Sequence, residues 1–191
     1  LAEPETAADL QAELARLKPA ELLIEEGLAT ELVASDTATH ALPPWQFDAD
    51  TATRLLCAQF GTRDLDGFGV GDLQDGLRAA GCLLQYVRDT QRSSLPHVTA
   101  IGAERHSDAL QIDAATRRNL ELETSLSGDA AASVAGVLDR CATTMGSRLL
   151  RRWLNRPLRE RAVLEQRYAA LDSLRSSARS ALSEALQEIG D

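Results

Sequence analysis

DAATRRNLELETSL (residues 113–126) and SVAGVLDRCATTMGSRLLRRWLNRPLRE (residues 133–160) decide the fold. From Met145 the apolar residues fall at Met145, Leu149, Leu150, Trp153 and Leu154, a single stripe at helical spacing. Arg148, Arg151, Arg152 and Arg156 occupy the remaining faces. Thr143 or Thr144 caps the start of this helix, and Pro157, which has no amide hydrogen, ends it near Arg156. Asp113 is the N-cap of an earlier helix over 114–122, and the two are joined by the Gly/Ala/Ser segment 127–133. Capped helices in series make a scaffold rather than a catalytic pocket.

Outward from this stretch, the 191 residues suit one large domain or two small ones. Hydrophobic residues make up 44% of the chain but aromatic ones only 4%, so its cores are built from Leu, Ala and Val. Ala20 to Glu25 reads as a buried strand with no convincing partner nearby. A brief helix is expected over 28–34 and a loop over 35–44. Asp48 or Asp50 caps a helix over 51–59, which Gly61 terminates. A glycine-rich loop spans 62–71, and a long helix from Asp72 to about Gln91 carries Leu73, Leu77, Ala80, Leu84 and Val87 inward. Residues 97–101 are extended, and a hinge is expected over 97–108. Ala109 to Ile112 reads as a short strand. The last helix starts near Arg161, with Arg161–Glu165 as an i, i+4 pair, and either runs almost to Gly190 or breaks at Ser176 and Ser177.

Net charge is −9, distributed unevenly. Residues 1–50 hold 11 acidic and 2 basic side chains (net −9), residues 51–138 hold 11 and 8 (net −3), and residues 139–191 hold 7 and 10 (net +3). An acidic body disfavours tight duplex binding, which needs several cation–phosphate contacts. Cys57, Cys82 and Cys141 are scattered, without the paired spacing of a zinc site or a disulfide framework, so no metal ligand is assigned and a reducing, cytoplasmic setting is expected. His40, His97 and His106 read as isolated loop residues. No P-loop run and no membrane span appear. The acidic amino-terminal stretch has no signal-peptide pattern, and the missing initiator Met suits a piece of a longer chain.

The two stretches quoted at the outset resemble the opening of the core, or lever, domain of the bacterial MutS family of DNA mismatch-repair ATPases. PAELLIEE (19–26), QFGTRDLDGFGV (59–70) and GLRAAGCLLQYVRDTQRSSLPHV (76–98) are similar to the later part of that family's connector domain. The resemblance implies an incomplete ribonuclease-H-like α/β connector over 1–100, a linker over 101–112 and an all-α core/lever segment over 113–191, helix-dominated overall. It implies a relay between mismatch-binding and ATPase domains, with a docking surface for a MutL-type protein. Mismatched duplex DNA, and ATP with Mg, would be bound by domains elsewhere in a homodimeric protein, leaving no catalytic, cofactor or metal residue here. Arg54, Leu55 and Gln59 are the candidate docking residues, on a helix of mixed charge; Asp113, Thr144 and Pro157 are the structural caps. Two rival readings are a two-metal nuclease built on Asp48, Asp50, Asp64, Asp66, Asp72 and Asp75, and a free-standing protein–protein scaffold. The arginines 148, 151, 152, 156, 159 and 161 either pair with carboxylates on neighbouring helices or meet an acidic partner or phosphate.

Overall fold

A computed structural model describes residues 1–28, 37–92, 94–176 and 179–189. The chain divides into two compact units, Leu1–Arg105 and His106–Asp191. Helices dominate, and the described sheet is a single parallel pair. No described helix is long and apolar enough to cross a membrane.

The first unit opens with α1 (Ala7–Leu17), where Thr6 and Asp9 form a reciprocal capping box and Lys18 closes the far end in the left-handed region. The strand β1 (Glu21–Glu25) pairs in parallel with β2 (Ala38–Leu42), in the register Glu21 to Ala38 through Glu25 to Leu42. This corrects the expectation of a loop over 35–44 and of a partnerless strand. Four of the five β2 residues are exposed, so backbone pairing holds this strand and side-chain burial contributes little. The helix expected over 28–34 falls almost wholly outside the described residues.

Asp48 caps α2 (Ala49–Phe60), its carboxylate accepting from Thr51 N at 2.8 Å, and Gly61 ends it with φ 66°. The 18-residue helix α3 (Gln74–Gln91) lies directly against α2. Contact is close because Gly81 faces Ala52, which is only 2% exposed; a Cβ at position 81 would sit 2.5 Å from the Cα of Ala52. Leu56, Leu65, Val70, Leu77, Leu84 and Leu95 form the core between them, with Phe60, Val87, Val98 and Ile101 packed around it. Each such burial contributes roughly 1.5–3 kcal/mol against leaving the side chain in water.

The second unit builds on α4 (Ala114–Asn119), α5 (Val134–Leu138), α6 (Thr144–Asn155), α7 (Arg161–Ser176) and α8 (Arg179–Gln187). Asp113 caps α4 through Thr116 N at 2.7 Å. The helix stops at Asn119, three residues short of the expected Leu122. Instead Glu121 and Leu122 turn their carbonyls to Val134 N and Ala135 N, both at 2.9 Å. Ser133 caps α5 at Gly136 N, 3.1 Å. The α6 cap is Thr143, whose hydroxyl accepts from Gly146 N at 3.0 Å; Thr144 is the first residue inside the helix rather than its N-cap. The helix ends at Asn155, two residues before Pro157. The strand expected over 109–112 reduces to one antiparallel bridge, Ala109 to Leu158. Ser177 lies outside the described residues, between α7 and α8.

Residues 101–112 divide between the units. Ile101 and Ala103 pack on the first core, and Arg105 pairs with Asp72 at 2.7 Å. Leu110 N donates to Pro157 O at 2.8 Å, and Arg159 N to Asp108 O at 3.0 Å.

Candidate functional site

The docking candidates lie along α2, at successive depths. Arg54 is exposed, its Nη2 3.2 Å from the Thr51 hydroxyl, while Leu55 is half-buried against the core. Gln59 works as a clamp. Its side-chain amide donates to Leu95 O and to Val98 O, both at 2.9 Å, and its Oε1 accepts from Arg88 Nη2 at 2.6 Å. The clamp holds a strained turn, because Leu95, buried to 2% exposure, sits at φ 41°, a region that L side chains rarely adopt. Beside it lies a polar hollow of about 370 Å³ lined by Gln59, Arg88, Ser94 and Thr99 among others. An apolar groove of about 280 Å³ runs along α3 past Phe60, Leu83, Val87 and Ile101.

Asp48, Asp64, Asp72 and Asp75 have local structural partners. Asp48 caps α2, and the Thr51 hydroxyl and amide hold its carboxyl below the usual carboxylate range. Asp64 accepts from Asp66 N at 3.2 Å, and Asp75 meets Arg78 at 3.2 Å. Asp72 takes both Arg105 terminal nitrogens, at 2.7 and 3.0 Å, and this pairing lowers its pKa. Among the described residues no three His, Cys, Asp or Glu side chains converge as metal ligands would. His40 belongs to β2 rather than to a loop, 3.7 Å from Glu21 and 5.6 Å from the Tyr86 ring. Glu21 also accepts from the Tyr86 hydroxyl at 2.9 Å, which raises the tyrosine pKa. His97 lies in the turn after Leu95. Burial pushes the Cys82 thiol up, as it does, together with nearby Asp139, that of Cys141.

In the second unit the polar groups gather on two residues that sequence reasoning missed. Asn155, 7% exposed, accepts from Arg117 Nη1 through its side-chain oxygen and donates to Glu123 at 2.9 Å and to Arg151 O at 3.0 Å. Arg117 also donates to Asn155 O at 3.2 Å and to Ile112 O at 3.3 Å, joining the start of α4 to the end of α6. Asp139 accepts from Ser147 Oγ at 2.9 Å and Cys141 N at 3.3 Å, with Arg151 at 3.4 Å; these donors lower its pKa, Ser147 foremost. The only sequence signals were an Asp and an Asn flanking an arginine-rich helix, and neither forms a motif. Arg156 lies 3.8 Å from Asp108 and Arg161 2.7 Å from Glu165, so part of the arginine cluster does pair with carboxylates.

Clamps, caps and ion pairs hold the segments of two compact, helix-dominated units together. Residues 1–99 match the family model of MutS domain II, and residues 115–191 match that of MutS domain III. The chain therefore belongs to the MutS family, the proteins of DNA mismatch repair.

Proposed function

We propose that this chain relays conformational change between mismatch-binding and ATPase parts of a MutS-type protein, performs no reaction of its own, and docks a MutL-type protein on its first unit. On this reading mismatched duplex DNA, and ATP with Mg, are held by other parts of a cytoplasmic homodimer. The observation that carries it is the coincidence of two matches, MutS domains II and III in order, with two compact units along the chain. Bodies that move as units about a connection transmit displacement, which a relay requires. Arg54 is the exposed charge at the proposed docking face, and Leu55 and Gln59 fix the helix and turn beneath it.

The test uses the full-length MutS-type protein. A short glycine insertion between Arg105 and His106 is expected to abolish the change in ATP turnover that mismatched duplex produces, while basal turnover and mismatch binding persist. Retained coupling would refute the relay. Arg54→Glu is expected to weaken recruitment of the MutL-type protein without altering mismatch binding; unchanged recruitment would remove α2 as the docking face.

A further inference from the structure

The helices α2 and α3 run parallel: Ala52 meets Gly81 and Gln59 meets Arg88, both pairs 29 positions apart. Their C-terminal ends therefore lie together, with Arg63 just past α2 and Arg92 closing α3. Beside these last turns is the polar hollow of about 370 Å³, lined by Gln59, Arg88, Ser94 and Thr99 and by no acidic residue. Arg88 is half-buried and uses one N–H on Gln59 Oε1, a neutral amide oxygen. Among the described residues no carboxylate lies within ion-pair distance of it, nor of Arg63 or Arg92. The acids next to these arginines in sequence are engaged elsewhere, Asp89 with the Gln85 amide and Asp64 with Asp66 N. Ser94 and Thr99 add two exposed hydroxyls. The Gln59 clamp on Leu95 O and Val98 O, with Leu95 buried at φ 41°, fixes the turn that carries them.

We propose that this hollow binds a phosphate monoester group. A guanidinium with no carboxylate beside it, together with two hydroxyls, selects an oxyanion. A phosphate monoester presents three free oxygens in a tetrahedral array, enough for the guanidinium and both hydroxyls at once, whereas a carboxylate presents two in one plane. Charge sets the size of the ligand. The first unit holds 17 acidic and 8 basic side chains, a net of −9, so the surface around the hollow repels a long polyanion such as duplex DNA. A single compact dianion meets only the arginine end. The C-terminal dipoles of α2 and α3 oppose it with about half a charge each, against three guanidinium charges, so attraction wins. Water would satisfy the hydroxyls but leave Arg88, partly withdrawn from solvent, without a counter-charge. The inference does not rest on the docking proposed for α2; the two share only Gln59, which the test leaves unchanged.

The test is a nuclear magnetic resonance titration of the isotope-labelled full chain at low salt and pH ~7.5, where a phosphate monoester carries nearly two charges. One probe is inorganic phosphate and the other a short neutral peptide containing phosphoserine; the same peptide with glutamate in its place and a short DNA duplex are the controls. Expected are saturable shifts of the Ser94 and Thr99 amides and of the Arg88 side-chain resonance. Arg88→Gln, which keeps an amide donor for Gln59 Oε1, should weaken binding at least about tenfold. Thr99→Val should weaken it at least about threefold. Unchanged melting of each variant checks its fold. Saturation by both probes supports a site that reads the phosphate group alone; saturation by the peptide only assigns it to a phosphorylated side chain, and by inorganic phosphate only, to a free anion. Absence of saturation by either probe, full affinity in Arg88→Gln, equal binding of the glutamate peptide, tighter binding of the duplex, or shifts of equal size at the exposed Arg118 and Arg140 would each overturn the proposal.

Discussion

Gly81 and Ala52 touch so closely that α2 and α3 are packed through the space a side chain at position 81 would fill: a Cβ there falls 2.5 Å from the Cα of Ala52. A glycine in mid-helix costs about 1 kcal/mol of helix propensity relative to alanine. Gly81→Ala therefore gains that propensity but overpacks the helix pair, at about 1–3 kcal/mol before any relief. The expected outcome is a net loss of stability, read as a lower denaturant midpoint with an unchanged m-value. Adding Ala52→Gly should restore part of the loss, and a purely additive double mutant would show that the two positions do not meet.

Gln59 is expected to matter through its amide rather than its size. Gln59→Ala removes two donors from the carbonyls of Leu95 and Val98 and one acceptor from Arg88. At roughly 0.5–1.5 kcal/mol net per bond, the loss of all three should reach about 1.5–4.5 kcal/mol, with faster amide exchange around residues 95–99. Gln59→Glu keeps the shape but trades both donors for acceptors, and should do no better.

Asn155→Leu tests the polar knot of the second unit. The leucine fills similar volume but removes one side-chain hydrogen bond from the Arg117 guanidinium and one from Glu123. Hydrogen bonds to charged groups contribute about 1.5–3 kcal/mol each, so destabilisation of about that order is expected. A proteolysis pattern with cleavage confined to the second unit would confirm where the loss falls. Wild-type stability would mean the knot contributes nothing.

Acid should destabilise the chain through four carboxylates. Thr51 lowers Asp48, Arg105 lowers Asp72, the Thr116 amide lowers Asp113 and Ser147 lowers Asp139. A folded-state pKa below the unfolded value means that the folded chain binds the proton less readily. The stability these groups contribute is full above the unfolded carboxylate range, near pH ~3.9, and is lost as pH falls through the lower folded values. Melting temperature measured from neutral pH downward should fall in that acid window. Asn caps helices about as well as Asp, so Asp48→Asn with Asp113→Asn should flatten the acid limb and leave neutral stability nearly unchanged. A limb as steep as that of the parent would place the titration elsewhere.

Legibility in the sequence followed the range of each interaction. The helices α2, α3 and α6 announce themselves because apolar stripes and capping residues are local, within four positions of one another. β2 was invisible: its residues are mostly exposed, so no hydrophobic pattern marks it, and only pairing with β1 across a connection of a dozen residues makes it a strand. α5 is five residues long, too short to show a stripe, and Ser133 was its one signal. The Gln59 clamp and the Asn155 knot each join residues 29–39 and 32–38 positions apart through polar side chains that carry no spacing rule. Family membership survived these gaps because it rests on several separate runs of sequence, not on any one element.

The backbone bridge from Ala109 to Leu158 has a consequence for synthesis. Its halves lie 158 − 109 = 49 positions apart, so the earlier half waits without its mate until nearly fifty further residues have left the ribosome. Loop-closure entropy must be met before such a long-range pairing repays it. The second unit is thus latched by one of its later-made segments, and a nascent chain halted before Leu158 would hold α4, α5 and α6 without the backbone bridge that closes the segment before α4 on the one after α6.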